Sequence, residues 1–133
     1  LRFVLESRGI KTILNLRQYH SDTSEAEGTK LVLEHIRMSA GEIKDDDMVR
    51  ALRIILNSPQ PVLVHCWHGS DRTGTVIAMY RMVVQRWDKK DALAELGKEE
   101  YGHHEKWYPN IRKYLNDVDV EKIREEVMMP KQQ

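Results

Sequence analysis

Only one cysteine occurs in the 133 residues. An internal disulfide is therefore impossible and a cysteine-rich zinc site is excluded, a scarcity that fits a reducing compartment without requiring one. Net charge is missing as well, because 21 Lys and Arg face 21 Asp and Glu. That balance removes any bulk attraction toward nucleic acid or an anionic membrane, so nucleic acid is not an expected partner and any anion site has to be built locally. No apolar run approaches the roughly 20 residues of a membrane span, and the opening "LRFVLESRG" lacks the pattern of a signal peptide. The expectation is a soluble chain without an integral membrane segment. Leu1, Val4 and Leu5 share one side of what reads as an opening helix, which leaves room for an upstream strand or targeting segment.

What is present is organised as one α/β domain over residues 1–133. This length suits a single core that buries about two thirds of the unfolded surface. Gly9 stands where a left-handed cap ends the opening helix, and the branched run "IKTILNL" then reads as a strand. "RQYHSDTSEAEGTK" reads as a loop, and "LVLEHIRM" as a segment ending in another strand. In "DDDMVRALRIIL" the acidic residues suit a helix N-terminus, with Met48, Leu52, Ile55 and Leu56 at helical spacing. The acidic run itself reads as a solvated helix start.

After the break from Asn57 to Pro61, "PVLV" is too short for a helix and is expected to be a fully buried strand closed by His65. "TGTVIAMYRMVVQ" is expected to be an enclosed helix beginning at Thr73, with an apolar face of Val76, Ile77, Tyr80, Val83 and Val84. Asp88 and Gly97 bracket a further helix as its caps. "HEKWYPNIRKYLND" and "VDVEKIREEVMM" supply two more, the last preceded by Asp119. Strands alternating with helices predict a central, mainly parallel sheet flanked by helices, with ligands at the carboxyl ends of its strands. Cys66 falls there.

The stretch "HCWHGSDRTG" carries the chemistry. Five residues separate Cys66 from Arg72, and a helix follows. Inward backbone amides of a tight loop formed by Trp67, His68, Gly69, Ser70 and Asp71, the positive end of that helix, and the Arg72 guanidinium together make a cradle for a tetrahedral anion. The same positive field favours the thiolate form of Cys66 beside that anion. Taken alone, a cysteine after an apolar run is most often a small buried residue. Gly69, Arg72 and Thr73 in register reverse that reading.

"HCWHGSDRT" matches the H-C-x-x-G-x-x-R-S/T signature, and on it the chain resembles the cysteine-dependent tyrosine and dual-specificity phosphatases. "GIKTILNLR", "AMYRMVVQRWDKKDALAEL" and "YGHHEKWYPNIRKYL" are similar to the small bacterial dual-specificity-like branch, so the likeness runs from about Gly9 to Asp117. It implies a metal-independent hydrolase without cofactor, working through a phosphocysteine intermediate. Cys66 would be the nucleophile, Arg72 the phosphate clamp and Thr73 the hydroxyl beside sulfur. It further implies a phosphorylated protein or peptide as substrate, with phosphotyrosine leading, and a location in the bacterial cytoplasm or outside the cell. A phosphoinositide or inositol phosphate is the alternative within the same chemistry, and a phosphate-recognising module without turnover the alternative outside it. Sulfur transfer or arsenate reduction fits less well, since Cys66 has no internal thiol to resolve against.

The family's usual general acid is an aspartate on an upstream loop, where this chain reads "HIRMSAGEIKDDD" and has Ser39 and Ala40. Glu42, Asp45 and the in-loop Asp71 are the candidates, and "DRT" resembles phosphoinositide phosphatases that favour the last. Asp71 serves equally well as a loop-bracing ion-pair residue. His65 is read as orienting the loop. His103 and His104 are adjacent, so their side chains diverge on any regular element and no metal site is expected. Trp107, Tyr108 and Tyr114 read as packing the late helix against the sheet rather than recognising substrate.

Overall fold

The computed structural model describes residues 9–18, 30–66, 71–97 and 109–129. The expected opening helix, the loop from 19 to 29, the Trp67–Ser70 part of the cradle, the adjacent histidines and Trp107 and Tyr108 lie outside them. Among the described residues three strands and five helices follow in order: β1 (Thr12–Asn15), β2 (Val32–His35), α1 (Asp45–Asn57), β3 (Val62–His65), α2 (Asp71–Val83), α3 (Lys89–Leu96), α4 (Pro109–Asp117) and α5 (Val120–Met128). This is the expected α/β class. Both strand pairings are parallel, in the order β2-β1-β3.

All four residues of β1 are buried, as befits a central parallel strand whose faces are both covered. Gly9 takes φ +82° just before it, a left-handed turn that only a residue without Cβ adopts cheaply. Asn15 stands level with His65, and the Leu16 amide donates to the His65 carbonyl at 2.8 Å, so the ladder continues to the doorstep of Cys66. The strand order reverses at β1, and at such a switch point the carboxyl ends open a crevice.

β3 is half-buried along its length, not fully buried. Among the described residues it pairs with β1 only and so forms a sheet edge, which gives half of its surface away. α1 matches its expected span closely. Met48, Leu52 and Ile55 are buried at helical spacing, but the acidic start is only partly solvated, because Asp47 is buried and bound to Arg50 at 2.6 Å.

α2 is the hub, touching β3 and the helices α1, α3, α4 and α5. It begins at Asp71 rather than Thr73. Enclosure on several sides also shifts its buried set. Thr75, Val76, Ala78, Met79, Met82 and Val83 are inside, while Ile77, Tyr80 and Val84 are only partly covered. Asp88 precedes α3 as its N-cap without a side-chain cap bond, and Gly97 ends it in right-handed rather than left-handed conformation. Asp119 does cap α5, its carboxylate accepting from the Lys122 amide at 3.1 Å.

Candidate active site

Cys66 follows β3 directly and is only 6% exposed. Five residues on, α2 starts, and its first turn delivers Asp71, Arg72 and Thr73 back to the sulfur. Thr73 Oγ1 donates to Cys66 Sγ at 3.1 Å, and the Thr73 backbone N–H donates to the same atom at 3.3 Å. The amide is one of the four at a helix start that lack an intrahelical acceptor. Two donors and the positive end of a helix therefore converge on sulfur, an arrangement that stabilises negative charge there.

Arg72 lies one position before Thr73 in the same turn. Its Nη1 donates to the Met38 carbonyl at 3.2 Å, which ties the guanidinium to the segment after β2. Its Nε is shielded from solvent and has no hydrogen-bond partner among the described residues. A buried donor left in this state costs about 1–3 kcal/mol, and a guanidinium with an unspent donor, one residue from the Thr73 that meets Cys66 Sγ, is suited to grip a planar pair of anion oxygens.

Asp71 is 8% exposed, and its carbonyl accepts from Thr75 Oγ1 at 2.6 Å. Of the other two acids, Glu42 has a side chain 73% exposed, 4.0 Å from Lys44. Asp45 accepts the Tyr114 hydroxyl at 2.6 Å and is thereby drawn toward α4. Burial, the hydrogen bond to Asp45 and the charges of Asp45 and Asp47 together hold the Tyr114 hydroxyl protonated far above its ordinary range. The sequence expectation of a packing role for Tyr114 holds, with α1 rather than the sheet as its polar partner.

The structure thus brings together Cys66, Arg72 and Thr73, with Asp71 in the same helical turn, and leaves Glu42 and Asp45 on neighbouring segments. What sequence reasoning did not see is the contribution of Met38, which acts through its carbonyl. A backbone acceptor has no letter of its own.

A family model described as the tyrosine phosphatase family matches residues 2–131. The chain belongs to the tyrosine phosphatase family. Within the tyrosine phosphatases it is 37% identical over 87 residues to the dual specificity protein phosphatase TpbA of Pseudomonas aeruginosa, in strains UCBPP-PA14 and PAO1. That alignment takes in 64% of this chain and 39% of TpbA, so the chain spans about two fifths of these curated relatives. A crystal structure of P. aeruginosa TpbA superposes with a TM-score of 0.84 at 28% identity, covering 94% of this chain and 78% of that one. A cysteine-to-serine TpbA in complex with pTyr gives the same TM-score and identity over 95% of this chain and 78% of that one. The core catalytic domain of the PP-IP phosphatase Siw14 from S. cerevisiae, in complex with citrate, superposes at 0.74 with 27% identity over 92% and 75% of the two chains.

Among the described residues no helix is long and apolar enough to cross a membrane.

Proposed function

We propose that this chain hydrolyses phosphate monoesters through a phosphocysteine intermediate, with a phosphorylated protein side chain, phosphotyrosine first, as substrate. The observation that carries the reading is the pair of Thr73 donors on Cys66 Sγ, with a buried, unspent Arg72 Nε one residue away. The cysteine-to-serine TpbA crystallised with pTyr supports this substrate class.

In the first step Cys66 thiolate attacks phosphorus, the S–P bond forms, and the ester P–O bond breaks. The leaving oxygen takes its proton from Asp71. Water then attacks phosphorus, giving a proton to the Asp71 carboxylate while the P–S bond breaks and inorganic phosphate departs. The Arg72 guanidinium and the backbone amides of Asp71 and Arg72 at the start of α2 hold the non-bridging oxygens, where the loss of one donor costs about 3–4 kcal/mol of transition-state stabilisation. Thr73 stabilises the sulfur as it leaves. Its two donors need no movement to do so, and that is their catalytic value. Charge stabilisation by arginine and amides leaves no role for a metal or a cofactor in this scheme.

A second reading has one specific support. Siw14, described as a PP-IP phosphatase, superposes well on this chain, which favours a phosphorylated inositol, soluble or as a phosphoinositide, as the alternative substrate. A panel of phosphotyrosine peptides, phosphoinositides and inositol phosphates, with Cys66→Ser as blank, decides between them. Peptide turnover at least tenfold above the lipid and inositol arms is expected. The reverse order transfers the assignment to the second reading, and turnover surviving in Cys66→Ser overturns both.

A further inference from the structure

The segment from Met38 to Glu42 is held from two sides and closed on itself by a turn. Arg72 Nη1 donates to the Met38 carbonyl at 3.2 Å. The Glu42 amide donates to the Ser39 carbonyl at 3.2 Å, closing a tight turn. From the other side, Asn110 in the first turn of α4 donates through Nδ2 to the Ala40 carbonyl at 3.0 Å, across 70 residues of sequence. Met38 is fully buried, Ala40 is 9% exposed and both bonds are part-buried, so water replaces a missing donor there only in part.

We propose that Asn110 is a positioning residue for Arg72, acting through this turn. The turn makes the Met38 and Ala40 carbonyls a single unit, so the Asn110 amide fixes the direction in which the Met38 carbonyl meets the guanidinium. That carbonyl in turn fixes the plane of Arg72. A guanidinium is a rigid planar fork whose value for an oxyanion depends on orientation, and a long side chain held at one N–H loses its rotamer freedom before the anion arrives. The inference rests on the phosphatase reading of the site, in which Arg72 grips phosphate. It assigns no proton transfer to Asn110 and no contact with substrate.

The measurement is inhibition by vanadate, a phosphate analogue, together with kcat on an aryl phosphate. The variants are Asn110→Ala and the nearly isosteric Asn110→Asp, which keeps the shape and lacks the donor. Both are expected to raise the inhibitory vanadate concentration about tenfold, the scale of one lost hydrogen bond to an ordered acceptor, with urea midpoints close to wild type. The deciding arm is a double-mutant cycle: in an Arg72→Lys background, which has no planar fork to orient, either Asn110 change is expected to add less than about twofold.

Wild-type vanadate affinity in both Asn110 variants overturns the proposal, as does the same tenfold loss in both Arg72 backgrounds. If Asn110→Ala does not fold, Asn110→Asp carries the cycle alone. A wild-type protein that neither turns over substrate nor binds vanadate overturns the reading of the site itself, a failure recognisable without any Asn110 variant.

Discussion

Thr73 presents both its hydroxyl, at 3.1 Å, and its backbone amide, at 3.3 Å, to the sulfur of Cys66. One of these donors can be removed by mutation and the other cannot, which makes the pair separable. Thr73→Val keeps the shape and the amide. In the proposed mechanism the hydroxyl helps sulfur leave phosphorus, so its loss is expected to slow breakdown of the phosphocysteine more than its formation. Steady-state kcat should fall by about 10²-fold, near the lower end for one preorganised donor. In stopped flow a stoichiometric burst of leaving group should appear, and Thr73→Ser should restore wild-type behaviour. An unchanged kcat without a burst would assign the hydroxyl to packing.

The acid can be assigned by leaving-group chemistry. Asp71 is buried in the same turn as Arg72, whereas the Glu42 side chain is 73% exposed. Asp71→Asn is expected to cost about 10²–10⁴-fold with a poor leaving group, the usual value of a positioned acid, and much less with an activated aryl phosphate that departs unprotonated. Glu42→Gln should stay near wild type on both. Equal losses for the two variants on the poor leaving group would remove the preference for Asp71.

Much of this site was legible because its chemistry rests on side chains at fixed spacing. Cys66, Arg72 and Thr73 are one loop and one helical turn, and the branched residues of β1 marked the strand beside them. Letters failed where geometry decides between identical residues. Asp88 and Asp119 both precede helices, yet only Asp119 accepts a cap bond. The partial exposure of β3 goes with its edge place in the sheet among the described residues, and the buried set of α2 depends on neighbours from four helices. Neither is written in a local window. Asn110 and the Met38 carbonyl were invisible for a stronger reason, since a contact spanning 34 residues to Arg72 and another spanning 70 to Asn110 exist only once the chain has folded.

Gly74, directly after the signature, is set by packing. A Cβ there would stand 2.8 Å from Leu96 Cδ1, and Leu96 is itself buried where α2 meets α3. Gly74→Ala gains about 1 kcal/mol of helix propensity but overpacks an enclosed contact at about 1–3 kcal/mol. A net destabilisation of about 1 kcal/mol is expected in urea unfolding. Combining it with Leu96→Val should recover part of that loss, because the shorter side chain makes room. Additive losses in the double variant would show that the contact is not the cause.

The Tyr114–Asp45 bond gives the fold a signature at alkaline pH. Burial first, then the 2.6 Å hydrogen bond to Asp45 and the nearby carboxylate charges, raise the Tyr114 pKa above the ordinary 10.0. The folded protein therefore retains a proton that the unfolded chain begins to lose near pH 10, and the free energy of unfolding must fall as pH rises through that range. Below it the contribution is fully present. Tyr114→Phe should thus be less stable than wild type at about pH 8, by about 1 kcal/mol for one hydrogen bond to a carboxylate at a half-exposed site. The gap should narrow as the buffer is taken from about pH 9 to about pH 11, where ionisation of this hydroxyl favours the unfolded chain of the wild type alone. Urea midpoints for the two proteins across that interval test the sign. A gap that stays constant would mean that the hydroxyl titrates alike in both states and that Asp45 does not hold its proton.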